Sequence, residues 1–184
     1  DAPDVVKLGT MNALAKDLER FRPFTLLEPI YKCVMASFSR RLMSLLHDHK
    51  LLDPGQFGFI LEGTVAEPLT FVNRLYEHAN AKKRHAHIAY LDATSAFDTV
   101  PHTALDAALR RLGAPADFIA WLRSTLHGHR RTVATAYDVD ADDAAALLEA
   151  GCPQGCPSSP LIWVIVMDYA LSYARANGGA PYDL

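Results

Sequence analysis

The sequence predicts an α+β fold, and three observations lead to that prediction. Five segments place apolar residues at the spacings of three and four that are typical of a helix. Two shorter segments are rich in the apolar, aromatic and β-branched residues that favour strands. The two kinds of segment do not alternate strictly, as they would in a parallel α/β sheet. With 184 residues, of which 50% are hydrophobic, the chain is long enough for one domain, or one and a half, around a buried core.

The first 81 residues are predicted to contain two helices. Residues 1–28 are expected to be irregular, because glycine and proline interrupt them repeatedly. The first helix is predicted over residues 29–50, where an apolar stripe is formed by Val34, Phe38, Leu42, Leu45 and Leu46. The second helix is predicted over residues 65–81, which carry at helical spacing Leu69, Val72, Leu75 and Tyr76.

The middle of the chain is predicted to begin with a strand. Residues 87–92 (HIAYLD) form a short apolar and aromatic run that is typical of one. A helix is predicted over residues 103–112, with Gly113 close to its C-terminal end, and another over residues 115–127.

The last part of the chain is predicted to contain one strand and one long helix. Residues 131–138 alternate enough to indicate a strand, whereas residues 139–150 fit a strand, a loop or a short helix equally well. The helix is predicted over residues 158–176, with Ser158 or Ser159 as its N-cap.

Composition limits the class of protein. The three cysteines, Cys33, Cys152 and Cys156, are too few and odd in number for a disulfide framework, which favours a reducing, intracellular compartment. The apolar run at residues 161–167 is too short to span a bilayer, and the N-terminus lacks the pattern of a secretory signal, so we expect no membrane association. Residues 1–131 carry a net charge of +3, which fits a nucleic-acid partner but is explained more simply by solvated helix faces.

Asp92 stands at the end of the strand predicted over residues 87–92, where the chain is expected to turn at the rim of a sheet. Enzymes that transfer phosphoryl groups need carboxylates in such a place, because Mg²⁺ prefers oxygen ligands and a pair of ions can stabilise the attacking and leaving oxygens. Taken alone, Asp92 and Asp98 would fit the capping of a turn at least as well.

The segment GCPQGCPSSP, residues 151–160, is a second place suited to chemistry. Its two glycines permit a close approach of backbone, and Gln154 offers both a donor and an acceptor. The serines stand where a helix is predicted to begin, and such a start suits an anion or a nucleotide. Taken alone, the segment is more simply interpreted as a loop that caps a helix.

Four segments together resemble the reverse transcriptases of non-LTR retrotransposons. LDATSAFDTVPH resembles the first palm motif of that family, and GCPQGCPSSPLIW resembles the second. FRPFTLLEPIYK and QFGF (residues 56–59) resemble two successive fingers motifs. The four occur in the family's order between about residues 7 and 175, and this agreement is far more specific than any one motif.

The resemblance implies the fingers and a partial palm of a right-hand polymerase, helix-rich with a small, incomplete antiparallel sheet. Residues 1–86 would form the fingers, and residues 87–184 the upstream palm with an interposed fingers segment at about residues 102–157. The downstream palm and the thumb would be absent. The implied activity is RNA-directed DNA synthesis by metal-dependent nucleotidyl transfer. Its partners would be an RNA template, a DNA primer and deoxynucleoside triphosphates.

The resemblance also implies a metal site, with Mg²⁺ or Mn²⁺ expected only in the complete enzyme. Asp92 matches the catalytic, metal-binding aspartate of the first palm motif, and the backbone carbonyl of Ala93 would be a second ligand. Asp98 matches a position that is acidic in the family but binds no metal, so it is expected to be structural.

Four further residues match positions that bind the nucleotide in the family. Phe97 matches the aromatic residue that lies under the sugar and excludes a ribose 2′-hydroxyl, the group that distinguishes ribonucleotides. Gln154 and Gly155 match the loop against the incoming nucleotide. Arg22 matches the fingers arginine whose planar, cationic group pairs with the triphosphate.

The sequence departs from the family pattern in three ways. Ile60 stands where the family has arginine, and Ser158 stands where it has leucine. The aromatic-x-Asp-Asp hairpin that supplies further acids does not occur in the 184 residues, so we expect that the chain by itself does not polymerise.

Two alternatives remain at this point. One is a catalytically inactive, decayed or domesticated relative of a reverse transcriptase that binds nucleic acid. The other is an unrelated metal-dependent phosphotransferase, which would use both Asp92 and Asp98 as metal ligands.

Overall fold

A computed structural model describes residues 8–17, 20–127, 130–133, 146–147 and 150–177. These residues form five helices and four strands, which is a helix-rich α+β arrangement. In chain order the elements are β1 (Leu8–Asp17), β2 (Arg20–Leu27), α1 (Pro29–Asp48), α2 (Ala66–Ala81), α3 (His102–Arg111), α4 (Ala116–Leu126), β3 (Arg130–Val133), β4 (Ala146–Leu147) and α5 (Ser159–Ala176).

The four strands form one sheet in the order β2-β1-β3-β4. Strand β1 pairs antiparallel with β2 and parallel with β3, and β3 pairs antiparallel with the two-residue β4. The sheet is therefore mixed: the expected antiparallel pairing is found in two of its three strand pairs, and the pair of β1 with β3 departs from it. The parallel pair arises because the chain crosses from β1 to β3 through the helices between them, whereas a hairpin would have produced an antiparallel pair.

The prediction that residues 1–28 are irregular is wrong over residues 8–17 and 20–27, which form β1 and β2. Strand β2 contains Pro23, which faces Ala13 of β1 across the ladder. Because β2 lies at the edge of the sheet, it has no strand on its outer side, and the missing N–H group of Pro23 therefore breaks no hydrogen bond on that side. Proline was therefore a poor indicator of irregular structure at this position.

The strand predicted over residues 87–92 does not form. These residues have no regular secondary structure, and the side chains of Tyr90 and Leu91 are 78% and 95% exposed. A strand needs a neighbour that accepts its backbone hydrogen bonds, and no described segment lies beside this one in a sheet. Of the strand predicted over residues 131–138, residues 131–133 lie in β3 and the remainder lies outside the described residues.

All five predicted helices are confirmed, with ends that lie within two residues of the prediction. The buried face of α1 is partly different from the predicted stripe, because Val34 and Leu45 are exposed while Tyr31 and Met35 are buried. None of the α2 residues is buried against the part of the chain that the structure describes. Periodicity therefore located the helices correctly, but it did not determine how each helix is turned toward the core.

The apolar core joins α1, α3, α4 and α5 with the loops that precede α3 and α5. Helix α5 contributes Leu161, Ile162 and Ile165, and α3 contributes Leu105 and Leu109. No helix in the described ranges is both long enough and apolar enough to cross a bilayer.

Asp168 is buried inside this core, in α5, although its side chain is charged. Its carboxylate forms an ion pair with Arg111 of α3 and accepts a hydrogen bond from the backbone N–H of Asp53. The side chain of Asp53 in turn forms an ion pair with Arg175 of α5 at 2.8 Å and accepts from the Gly55 N–H at 2.8 Å. This network ties the turn after α1 to α3 and α5, which explains how the core holds a buried acid.

Candidate nucleotide site

The first of two loops that build the site contains residues 93–101, between the irregular residues 87–92 and α3. Within it a turn is closed by hydrogen bonds from the N–H groups of Asp98 and Thr99 to the carbonyl of Ser95, at 2.9 and 3.1 Å. Val100, which follows the turn, is buried in the core. The turn is thereby anchored, and Phe97 and Asp98 occupy defined positions on it.

The second loop, residues 150–158, lies directly against the first. The N–H of Gly151 donates to the carbonyl of Val100 at 2.8 Å, and the N–H of Cys152 donates to the carbonyl of Phe97 at 2.7 Å. Gly151 has a φ of +83°, and a Cβ atom placed there would lie 2.6 Å from the carbonyl oxygen of Asp98. Only glycine allows both this conformation and this close approach, so the two predicted palm motifs meet as backbone against backbone.

His102 strengthens the same junction, and the sequence interpretation did not single it out. Its ring is 6% exposed, and Nε2 lies 2.9 Å from the carbonyl oxygen of Gly151. Because a carbonyl oxygen only accepts, the ring donates to it from Nε2. Nδ1 is buried and has no hydrogen-bond partner among the described residues. The position of this histidine directly after Val100-Pro101 was the one signal that could have indicated its role.

Gln154 is held by its backbone and by its side chain. The N–H of Thr25 in β2 donates to the Gln154 carbonyl at 2.7 Å, so the sheet edge reaches the second loop. The side-chain Nε2 of Gln154 donates to Oδ2 of Asp98 at 2.7 Å. Gly155 follows with a φ of +108°, and a Cβ there would lie 2.7 Å from the carbonyl oxygen of Thr25. Strand β2 and the two loops are therefore in direct contact at Gln154.

An open pocket of about 410 Å³ lies at this junction. Three of the residues predicted to bind the nucleotide line it together, namely Phe97, Gln154 and Gly155. The ring of Phe97 also faces Trp163 of α5, with ring centres 6.1 Å apart and planes inclined at 51°. The aromatic wall of the pocket is thus supported from behind by the core helix.

The start of α5 forms another wall of the pocket, where Ser159 and Pro160 lie. Ser158 stands at the predicted N-cap position, but its hydroxyl contacts the sulfur of Cys156 at 3.1 Å and makes no capping bond to the helix. Ser159 donates its hydroxyl hydrogen to the carbonyl of Pro153 at 2.7 Å. Both serines therefore brace the loop and do not cap the helix.

Asp92 and Ala93 are exposed and do not line this pocket. In the described part of the chain, Asp92 makes no hydrogen bond or ion pair, and no group of three or more His, Cys, Asp or Glu side chains could hold a metal ion. An exposed carboxylate next to a backbone carbonyl suits Mg²⁺, which commonly binds one or two carboxylates together with substrate phosphates. These residues fit as part of a metal site and do not complete one.

Arg22 lies in β2, opposite Leu14 of β1 and three residues before Thr25. Arg22 is therefore close in sequence to Thr25, the β2 residue whose N–H bonds to the carbonyl of Gln154. The sequence placed Arg22 in an irregular segment, whereas the structure places it on β2, the strand that bonds to Gln154 through Thr25.

A family model matches residues 14–178 and is described as "Reverse transcriptase (RNA-dependent DNA polymerase)". The match covers far more than half of the 184 residues, so the chain belongs to the reverse transcriptase family. The expectation from the resemblance of the four motifs is thereby confirmed.

Curated relatives are polymerases of non-LTR retrotransposons. The chain is 30% identical over 167 residues, 90% of its length, to the Retrovirus-related Pol polyprotein from type-2 retrotransposable element R2DM of Drosophila melanogaster. It is 32% identical over 163 residues, 86% of its length, to the corresponding polyprotein of the type-1 element R2 of Nasonia vitripennis. It is 28% identical over 150 residues, 80% of its length, to the probable RNA-directed DNA polymerase from transposon BS of Drosophila melanogaster. The chain spans 15% of the first two relatives and 16% of the third.

Proposed function

We propose that this chain forms the fingers (residues 1–86) and the upstream palm (residues 87–184, with an interposed fingers segment at about 102–157) of an RNA-directed DNA polymerase. The complete protein would add deoxynucleotides to a DNA primer on an RNA template. One observation carries the proposal: hydrogen bonds between the two palm-motif loops bring Phe97, Gln154 and Gly155 to a single pocket. The two loops are distant in sequence, since the contacting residues Asp98 and Gln154 are 56 positions apart.

The pocket residues would bind and select the nucleotide. Phe97 presents an aromatic ring braced by Trp163, and a flat, immobile ring under the sugar would collide with a 2′-hydroxyl. Gln154 and Gly155, which also line the pocket, would contact the nucleotide beside Phe97. Arg22 would reach the triphosphate from β2, because a guanidinium matches the geometry of phosphate oxygens.

Asp92 and the carbonyl of Ala93 would hold a divalent metal ion, Mg²⁺ or Mn²⁺, together with the nucleotide phosphates. When bound, such an ion supplies positive charge for the developing oxyanions of the transfer reaction. In that reaction the 3′-hydroxyl oxygen of the primer bonds to the α-phosphorus, the bond to the β-phosphate oxygen breaks, and pyrophosphate leaves. A pair of metal ions would stabilise both the attacking and the leaving oxygen, and one carboxylate cannot bind both ions. The proposal therefore requires further acidic ligands from outside the described residues.

The catalytic role of Asp92 is tested by Asp92→Ala in the polymerase encoded by the complete open reading frame that contains this chain. Primer extension on an RNA template should fall to the background, because the metal ligand is lost while the exposed position tolerates alanine. Asp106→Ala is the matched control. Asp106 is also acidic, but it forms an ion pair with Arg123 at an N–O distance of 3.0 Å, and it does not line the pocket. Extension by Asp92→Ala at the rate of this control would refute the assignment.

The relatives do not favour the alternative of a decayed, inactive protein, because all three of those compared are named as a polymerase or as a Pol polyprotein of a mobile element. The unrelated phosphotransferase with Asp92 and Asp98 as joint metal ligands is not favoured either. The carboxylate of Asp98 is engaged by the side chain of Gln154, whereas Asp92 has no such contact in the described part of the chain.

A further inference from the structure

Asp98 does not line the pocket, yet it contacts a residue that does. Its carboxylate oxygen Oδ2 accepts a hydrogen bond from Nε2 of Gln154 at 2.7 Å, in a partly buried setting. The pocket itself is lined by Gln154 and by Phe97, the residue that precedes Asp98. Any influence of Asp98 on a ligand in this pocket would therefore be exerted through Gln154.

The backbone around this contact is fixed on both sides. Asp98 is held by its N–H bond to Ser95, and its own backbone carbonyl is covered by Gly151. Gln154 is held by the Thr25 N–H that bonds to its carbonyl. Because both backbones are anchored, the remaining freedom of Gln154 lies in its side chain, and the hydrogen bond to Asp98 restricts where its amide lies and how it is turned.

The chemistry of the two groups determines which way the amide is turned. A carboxylate accepts hydrogen bonds and donates none, so the amide must present its NH₂ group to Asp98. A glutamine amide without such a partner has two orientations that differ little in energy. Once the NH₂ group faces Asp98, the amide oxygen Oε1 points away from it and makes no hydrogen bond within the described residues.

We infer that Asp98 is a positioning residue that orients the Gln154 amide so that Oε1 is presented to the pocket as an acceptor. The pocket then favours a nucleotide that offers an O–H or N–H donor to this oxygen, either the sugar 3′-hydroxyl or an amino or imino group of the base. This inference deepens the proposed function and rests on it. It replaces the expectation that Asp98 is merely structural.

The test compares Asp98→Asn and Asp98→Ala with the wild-type complete polymerase, using deoxynucleoside triphosphates and their 2′,3′-dideoxy counterparts. Alanine removes the acceptor that orients the amide, and asparagine can either accept from the amide or donate to it, so neither variant fixes Oε1 as the group presented to the pocket. The resulting loss of one hydrogen bond should raise KM for the deoxynucleotide about tenfold and change kcat less, as expected for one hydrogen bond of about 1.4 kcal/mol. If the donor is the 3′-hydroxyl, the preference over the dideoxynucleotide should shrink by the same factor. If the donor is on the base, the loss should differ among the four bases and be equal for both sugars.

Two further variants separate positioning from a general loss of structure. Asp106→Asn makes the same change of charge and shape at a surface ion pair, and it should leave both KM and the sugar preference unchanged. Gln154→Leu should reproduce the loss seen in Asp98→Ala, and the double variant should lose no more than Gln154→Leu alone, because both changes remove one interaction.

The results separate the inference from the proposed function. A wild-type polymerase that fails to extend any primer would overturn the proposed function. A wild type that extends, together with Asp98→Ala and Asp98→Asn variants that keep its KM and its nucleotide preferences, would overturn the role of Asp98 alone. In the 184-residue chain, the NMR signals of the Gln154 side-chain NH₂ group should shift in Asp98→Asn and stay in place in Asp106→Asn. An unshifted signal in Asp98→Asn would likewise overturn the role of Asp98.

Discussion

Replacing Asp168 by asparagine should destabilise the chain far more than the same change at the surface. Asp168 is fully buried, and its two carboxylate oxygens accept from Arg111 and from the N–H of Asp53. Asparagine has almost the same volume, so no cavity forms. Only one of its terminal groups can accept, however, and its NH₂ group must then face either the guanidinium or the N–H group.

The expected magnitude follows from these contacts. Breaking a buried ion pair by removing one charge costs about 3–5 kcal/mol when the remaining charge is also buried. The side chain of Arg111 is 34% exposed, so water recovers part of that cost. A buried N–H group left without an acceptor costs about 1–3 kcal/mol. Since asparagine keeps one of the two contacts, we expect a loss of about 2–3 kcal/mol in the free energy of unfolding.

Urea unfolding of the 184-residue chain measures this loss, with the dependence of the free energy on urea concentration expected to stay unchanged. Asp106→Asn serves as the control, because its partner Arg123 is 51% exposed, and pairs of that kind contribute less than about 1 kcal/mol. Equal, small losses for Asp168→Asn and Asp106→Asn would refute the conclusion that the core depends on the Asp168 network.

Two other predictions concern the pocket. In urea unfolding, Gly151→Ala should destabilise the chain more than Gly113→Ala. Both glycines have a positive φ, which costs an alanine about 1–2 kcal/mol. A Cβ atom at Gly151 would also lie 2.6 Å from the backbone of Asp98, whereas one at Gly113 would meet nothing within 4 Å. Equal losses would show that the two loops separate easily. Phe97→Ala in the complete polymerase should raise incorporation of ribonucleotides relative to deoxynucleotides at least tenfold, and an unchanged ratio would exclude Phe97 as the sugar filter.

The helices were predictable because helical periodicity and its punctuation are local. Gly113 has a φ of +77° just after α3, and Pro115 directly precedes α4, so residues close in sequence determined where these helices end and begin. The face that each helix buries was less predictable. Val34 was expected in the core of α1 and is half exposed, because the neighbours that cover one face and leave another open come from distant parts of the chain.

The strands were poorly predictable for the same reason. Residues 87–92 have the composition of a strand and form none, whereas β1 and β2 form across residues expected to be irregular. A helix satisfies its backbone hydrogen bonds internally, but a strand depends on a partner elsewhere in the chain. Composition alone therefore predicted a strand at residues 87–92 that does not form, and it failed to predict β1 and β2.

The sequence by itself determined the family and indicated candidate site residues, since the order and spacing of four motifs are properties of the linear chain. Only the tertiary structure decided which of those residues meet. It placed Phe97, Gln154 and Gly155 in one pocket and left Asp92 exposed outside it. It also revealed contacts that the motifs do not indicate, such as that of His102 with Gly151 and that of Arg111 with Asp168. Hydrogen bonds and buried ion pairs join atoms that are far apart in sequence, so folding alone brings them within reach of each other.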